Sequence, residues 1–208
     1  MGTIFLKKEK ARTYPHNPQV ILASSSKWRK ALLQRNGIEV LLKPSDTDET
    51  KIKKSFHNKP SKEMVLKIAC EKALAVSQKY PDFFVLAADQ ILDCGGILLN
   101  KPLNLKEVEA SLRFLMGKKY NLMTAAVVFL DGKPFFQQVV EDSLKMRYLK
   151  EEELQEYIEK RGKEVIGCLG AHEIENKEYD FVTILDGNEE SIQGLPLEEL
   201  KIFLKENL

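Results

Sequence analysis

Hydrophobic residues along this chain fall into short runs and helical stripes that alternate with polar segments. Residues 19–23 ("QVILA") form a brief β-type apolar run, and residues 27–35 carry Trp28, Ala31, Leu32 and Leu33 at helical spacing before Gly37 stops the pattern. This predicts a strand feeding directly into a helix. Residues 39–42 predict a second strand, after which "KPSDTDETKIKKSFHNKP" reads as a polar loop with clustered carboxylates and a basic run. Ser61 is a good N-cap for a long amphipathic helix, whose Val65, Ile68, Ala69, Ala73 and Val76 keep helical spacing to about Tyr80. "FFVLAAD" is a buried-strand run that ends on Asp89, "CGG" marks a turn, and "ILLNKP" is a short strand stopped by proline.

Further on, residues 105–116 predict a helix, and the long apolar runs on either side of Asp131 and Gly132 predict an antiparallel hairpin, because Asp-Gly is a favoured two-residue turn. Residues 151–161 read as a charged helix ending at Gly162, residues 179–185 as a last strand, and "GLPLEELKIFLKENL" as a closing helix with proline near its start. There is no internal repeat or low-complexity tract. Strands and helices with one long hairpin predict an α/β fold built on a mixed sheet with flanking helices.

Length and composition narrow this picture. A chain of 208 residues is long enough for a sizeable core, so the expected organisation is a loose extension over residues 1–18 and a single domain over residues 19–208. The formal net charge is +1 and aromatics are not interleaved with a basic stripe, which argues against a nucleic-acid binder and makes any basic site local. Cys70, Cys94 and Cys168 are scattered singly, without a CxxC pair, so the chain reads as reduced and cytoplasmic. His16, His57 and His172 are too dispersed for a zinc site, and a metal would have to be a hard ion held by carboxylates. The apolar residues near the amino terminus precede a basic stretch, the reverse of a signal peptide, and no apolar run approaches the ~20 residues needed to cross a bilayer.

Candidate chemistry begins at "ASSSKWRK". Ser24, Ser25 and Ser26 precede a helix start that also carries Lys27, Arg29 and Lys30, and a helix N-terminus presents free N–H groups and a favourable dipole to an anion. There is no GxxxxGK[ST] and no GxGxxG, so this is neither a P-loop nor a dinucleotide fingerprint, and taken alone it reads as a capped helix with solvated lysines rather than as a phosphate site. Asp46, Asp48 and Glu49 taken alone read as a solvated turn. Asp89 at a strand end reads either as a working acid or as a compensated structural one. Lys72 and Lys101 are each consistent with ordinary surface lysines.

Taken in order, these pieces resemble the Maf family, nucleotide pyrophosphatases once described as septum-formation inhibitors. The matching blocks are "ILASSSKWRKALL", "DTDET", "CEKA", "AADQILDCGGILLNKP" and "GLPLEEL", in the family's order and spanning nearly the whole chain. The resemblance implies a strongly twisted mixed sheet of the Maf/inosine-triphosphatase type. It implies hydrolysis of a nucleoside triphosphate to the monophosphate and pyrophosphate with a divalent cation, Mg²⁺ or Mn²⁺, in a protein that commonly dimerises. By resemblance Asp89 is the catalytic acid and a metal ligand, Glu49 a metal-associated acid, and Ser24, Arg29, Lys72 and Lys101 contacts to the triphosphate.

Three positions depart from the branch of the family that acts on thymidine and uridine triphosphates. Trp28, Gln90 and Glu175 stand where that branch has arginine, threonine and glutamine, and this combination resembles the branch acting on 7-methyl-GTP. The chemistry agrees: an ionised glutamate accepts from the two donors of guanine's edge, and a tryptophan face attracts the cationic N7-methylated ring. Asn176 and Lys27 also replace the family's glycine and proline. The expected function is therefore a house-cleaning pyrophosphatase acting on 7-methyl-GTP or a related nucleotide. The alternatives are a broad or pyrimidine-directed pyrophosphatase and a non-catalytic nucleotide-binding regulator of cell division.

Overall fold

The structure is a computed structural model that describes residues 4–5, 20–56, 61–174, 176 and 178–208. Strand β1 (Ile4–Phe5) is followed by β2 (Val20–Leu22), helix α1 (Lys27–Arg35) and β3 (Val40–Leu42). Helices α2 (Glu49–Ser55) and α3 (Ser61–Ser77) lead to β4 (Phe84–Cys94) and β5 (Ile97–Leu99). Then come α4 (Leu105–Leu115), β6 (Lys119–Leu130), β7 (Lys133–Met146) and α5 (Glu151–Arg161). A 3-10 turn at Leu169–Ala171, β8 (Val182–Asp186), α6 (Glu189–Ile192) and α7 (Leu197–Asn207) complete the chain.

The described strands form one mixed sheet in the order β1-β7-β6-β4-β2-β3, with β5 on β4 and β8 on β7. β2 is the pivot, because it pairs in parallel with β3 (Ile21 opposite Leu41) and with β4 (Ile21 opposite Val85). In parallel α/β sheets, ligands bind in the crevice outside the carboxyl ends of the strands. The hairpin falls where the sequence predicts it: Asp131 (φ 49°) and Gly132 (φ 69°) are both left-handed, as a type I′ turn demands.

The chain divides into two compact units. One contains residues 1–90, 124–140 and 193–208, and the other residues 91–123 and 141–192. Val20, Leu22, Leu32, Leu33, Leu86 and Phe203 belong to the core of the first, while Leu112, Leu115, Tyr120, Leu144 and Tyr157 belong to that of the second. Each unit thus buries its own apolar cluster, the dominant source of its stability.

Several expectations are corrected. Residues 49–55 form a helix where a loop was expected: Asp48 caps α2, its Oδ1 accepting from Lys51 N at 3.0 Å, so that Glu49 opens the helix. Asp89 does not end its strand, since β4 continues to Cys94. α6 and the 3-10 turn were not anticipated, and α3 stops at Ser77 rather than near Tyr80.

Candidate active site

The first unit gathers five of the sequence's candidates, Ser24, Arg29, Glu49, Lys72 and Asp89, at the carboxyl side of its parallel strands. β2 ends at Leu22 and passes through Ser24 and Ser26 into α1; β3 ends at Leu42 and leads to α2, which begins with Glu49; β4 runs on from Leu86 to Asp89. Lys72 comes from the buried face of α3. Its Nζ donates to Asp89 Oδ1 at 2.6 Å and lies 2.7 Å from Glu49 Oε1, so one ammonium bridges two carboxylates contributed by separate elements. Asp89 is only 5% exposed and Lys72 9%. A buried carboxylate needs a compensating partner, and Lys72 is that partner. Asp89 Oδ2 accepts no hydrogen bond among the described residues.

Arg29, in the first turn of α1, is also buried, at 5% exposure. Its Nε donates to Gly194 O at 2.8 Å and its Nη1 to Ala88 O at 2.8 Å and to Ser24 Oγ at 3.4 Å. Burial lowers its pKa, opposed by the negative charges of Asp89 and Glu49, so the guanidinium faces the same field that holds Lys72. Arg29 fixes the backbone beside Asp89. Gly194 is essential to that contact: with φ +102° it adopts a conformation that L side chains rarely take, and an added Cβ would press to 3.4 Å from Arg29 Nε.

The serines are employed locally. Ser26 caps α1, its Oγ accepting from Arg29 N at 3.4 Å, and Ser24 Oγ accepts from Ser26 N at 3.1 Å. A hydroxyl that accepts from N–H groups retains its own O–H to donate outward. With no acid in the first turn of α1, its N-terminus stays electropositive.

A family model described as "Maf-like protein" matches residues 19–207. The chain belongs to the Maf-like family. It is 36% identical over 186 residues to a protein of Nitrobacter hamburgensis, covering 89% of this chain and 92% of that one. It is 36% identical over 186 residues to a protein of Bradyrhizobium diazoefficiens (89% and 92%) and 35% over 188 residues to one of Hyphomonas neptunium (89% and 94%). All three relatives are named nucleoside triphosphate pyrophosphatase.

The remaining residues that the Maf resemblance singles out are placed as follows. Trp28 is half-buried on the first turn of α1, with Lys27 Nζ 4.7 Å from its ring centroid. Gln90 Nε2 donates to Thr124 Oγ1 of β6 at 2.9 Å. Lys101 belongs to the second unit, where it is exposed and lines a pocket of about 270 Å³ with Pro102, Glu107 and Phe114. Glu175 lies outside the described residues. Sequence reasoning missed the Ala88 and Gly194 carbonyls and Thr124. The glycine of "GLPL" was the one available signal for the Arg29 brace.

The carboxylates suit a hard cation. Among the described residues no group of three or more His, Cys, Asp and Glu side chains is placed to hold a metal ion. Asp89 and Glu49 nonetheless converge on a single cation, the Lys72 ammonium. Two carboxylates completed by substrate phosphate oxygens and water are the usual donor set of a nucleotide-bound Mg²⁺. Among the described residues no helix is long and apolar enough to cross a membrane.

Proposed function

We propose that this chain hydrolyses a nucleoside triphosphate to the monophosphate and pyrophosphate, and that the Glu49–Lys72–Asp89 cluster is its reaction centre. The observation that carries this is the convergence of both acids on Lys72 Nζ beside Arg29 and the α1 N-terminus, in a Maf-like chain whose relatives bear that activity in their names. Water attacks the α-phosphorus, its proton passes to Asp89, and the bond to the bridging oxygen of pyrophosphate breaks. Asp89 divides its duties: Oδ1 stays within the charge cluster while Oδ2 orients the water and takes its proton. The Ser24 hydroxyl, the electropositive start of α1 and Arg29 Nη2, which makes no hydrogen bond among the described residues, are the donors for phosphate oxygens. Lys101 is assigned to the polyphosphate by the family resemblance alone. Glu49 and Asp89 would hold a divalent ion such as Mg²⁺ or Mn²⁺, which when bound neutralises the charge that develops on the phosphoryl oxygens.

For the base, we propose 7-methyl-GTP or a similarly modified purine nucleotide. The Trp28 ring already attracts the Lys27 ammonium, and a cationic methylated guanine is the ligand that would take that place. By the family resemblance alone, Glu175 is assigned to the guanine edge and Gln90 to base selection. Turnover in the cytoplasm and a homodimeric state accompany this reading, and light scattering at micromolar concentration tests the dimer, a monomeric mass contradicting it. Pyrophosphate release from a panel of triphosphates with Mg²⁺ or Mn²⁺ tests the activity, and release from none of them defeats it. Trp28→Arg combined with Glu175→Gln should shift preference toward pyrimidine nucleotides. An unchanged order of substrates would remove these side chains from base reading.

A further inference from the structure

Lys72 stands where a metal would stand. An ammonium 2.6 Å from Asp89 Oδ1 and 2.7 Å from Glu49 Oε1 engages the same oxygens that a hard cation would gather at about 2.1 Å. A divalent ion on those oxygens would lie beside the ammonium, and two cations at that spacing repel, so the two compete for the acids. The resting cluster is electrostatically satisfied without any added ion. A lysine side chain is a flexible four-carbon stem carrying a point charge, so it can leave the acids for another anion without disturbing the helix that bears it.

We propose that Lys72 is an internal stand-in cation, which neutralises Glu49 and Asp89 in the empty enzyme and releases them to a divalent ion when the triphosphate draws its ammonium away. This rests on the metal-dependent reading above and adds to it an order of events: metal and nucleotide are taken up together, and the nucleotide-free protein holds metal weakly. If Lys72 occupies the carboxylates in nine molecules of ten, apparent metal affinity in the absence of nucleotide falls about tenfold below the intrinsic value. A lysine that served only as a phosphate contact would leave nucleotide-free metal affinity unchanged.

The test is Mn²⁺ titration of the nucleotide-free full chain, read by calorimetry or by the Mn²⁺ electron paramagnetic signal, for wild type, Lys72→Gln and Lys72→Arg. Lys72→Gln should bind Mn²⁺ about tenfold more tightly than wild type, and Lys72→Arg should remain close to wild type. Equal or weaker binding by Lys72→Gln overturns the exchange while leaving the pyrophosphatase reading intact. Absence of Mn²⁺ binding in both proteins, even with nucleotide present, overturns the metal reading as well. Should Lys72→Gln be unfolded in chelator, recovery of its folded circular dichroism signal by Mn²⁺ but not by K⁺ supports the proposal, and failure to recover contradicts it. In wild type carrying ¹⁵N-labelled lysine, the ammonium resonance of Lys72 should move when Mg²⁺ and a triphosphate are added together, and an unmoved resonance at saturation overturns the exchange.

Discussion

Two buried aspartates, one in each unit, solve the same electrostatic problem in different ways. Asp89 on β4 is 5% exposed and is met by the Lys72 ammonium. Asp142 on β7 is 1% exposed and is met by neutral donors: its Oδ1 accepts from Ser191 Oγ at 2.7 Å and from Asn188 N at 3.2 Å. Asp142 Oδ2 is buried with no hydrogen-bond partner among the described residues. Burial accordingly pushes the Asp142 carboxyl above its ordinary range, while Ser191 and Asn188 pull it back. A side chain at Gly187 would collide with Asp142, so backbone closes over this acid as well. An acid held by fixed neutral donors is a brace that ties β7 to the α6 segment. An acid held by the flexible tip of a lysine can change partners, which is what a reaction centre requires.

Exchanging the two carboxylates for amides should separate these roles. Asp89→Asn should lower kcat for pyrophosphate release by a factor of about 10²–10⁴ while the protein remains folded, because proton transfer is lost and shape is kept. Asp142→Asn should leave turnover unchanged. If both variants lose activity equally, the contrast between brace and reaction centre fails.

Lys72→Met strips the cation from a buried acid and should cost about 2–3 kcal/mol in denaturant unfolding measured in chelator, below the fully buried range because Glu49 is 41% exposed. An undiminished midpoint would show that Asp89 has another partner. For Asp142 the pH dependence is diagnostic. Its folded pKa is raised, so its contribution to stability is fully present below the unfolded value of 3.8 and is lost as pH rises through the folded value. The Tm of Asp142→Asn relative to wild type should therefore climb as pH rises from acid toward neutrality, and a difference independent of pH would contradict the assignment.

The smallest effect belongs to a surface copy of the site's stoichiometry. Arg113 also joins two acids, Glu109 and Glu151, but all three side chains are well exposed. Arg113→Gln should leave Tm unchanged at physiological salt, since screened surface pairs contribute little. A measurable loss there would mean that burial is not what distinguishes the Lys72 cluster.

How far the sequence revealed this molecule depended on the strength of each local signal. Asp131 and Gly132 sit in a turn that almost no other dipeptide adopts as well, and α1 is marked by Ser26 as cap and by the Leu32 and Leu33 stripe, so both were legible. α2 was hidden because it buries none of its residues: without an apolar stripe, "ETKIKKS" shows only its Asp48 cap. Continuous burial of β4 on both sides of Asp89 made the acid look like a stop, although Ile91 and Leu92 resume the same run. Arg29, Glu49, Lys72 and Asp89 were legible as a set only through the order of the family blocks, since nothing in their spacing says that they meet. The bond from Arg29 to the Ala88 carbonyl was not legible at all, because a backbone acceptor carries no residue signature, and the bond to Gly194 O was signalled only by the glycine of "GLPL".

The central claim is that a water molecule held by Asp89 attacks the α-phosphorus of a nucleoside triphosphate. Hydrolysis in heavy-oxygen water, followed by mass spectrometry of the products, tests it most directly. The account predicts one heavy oxygen in the nucleoside monophosphate and none in the pyrophosphate, at a rate that collapses in Asp89→Asn. Label in pyrophosphate or in free phosphate, or undiminished labelling by Asp89→Asn, would contradict it.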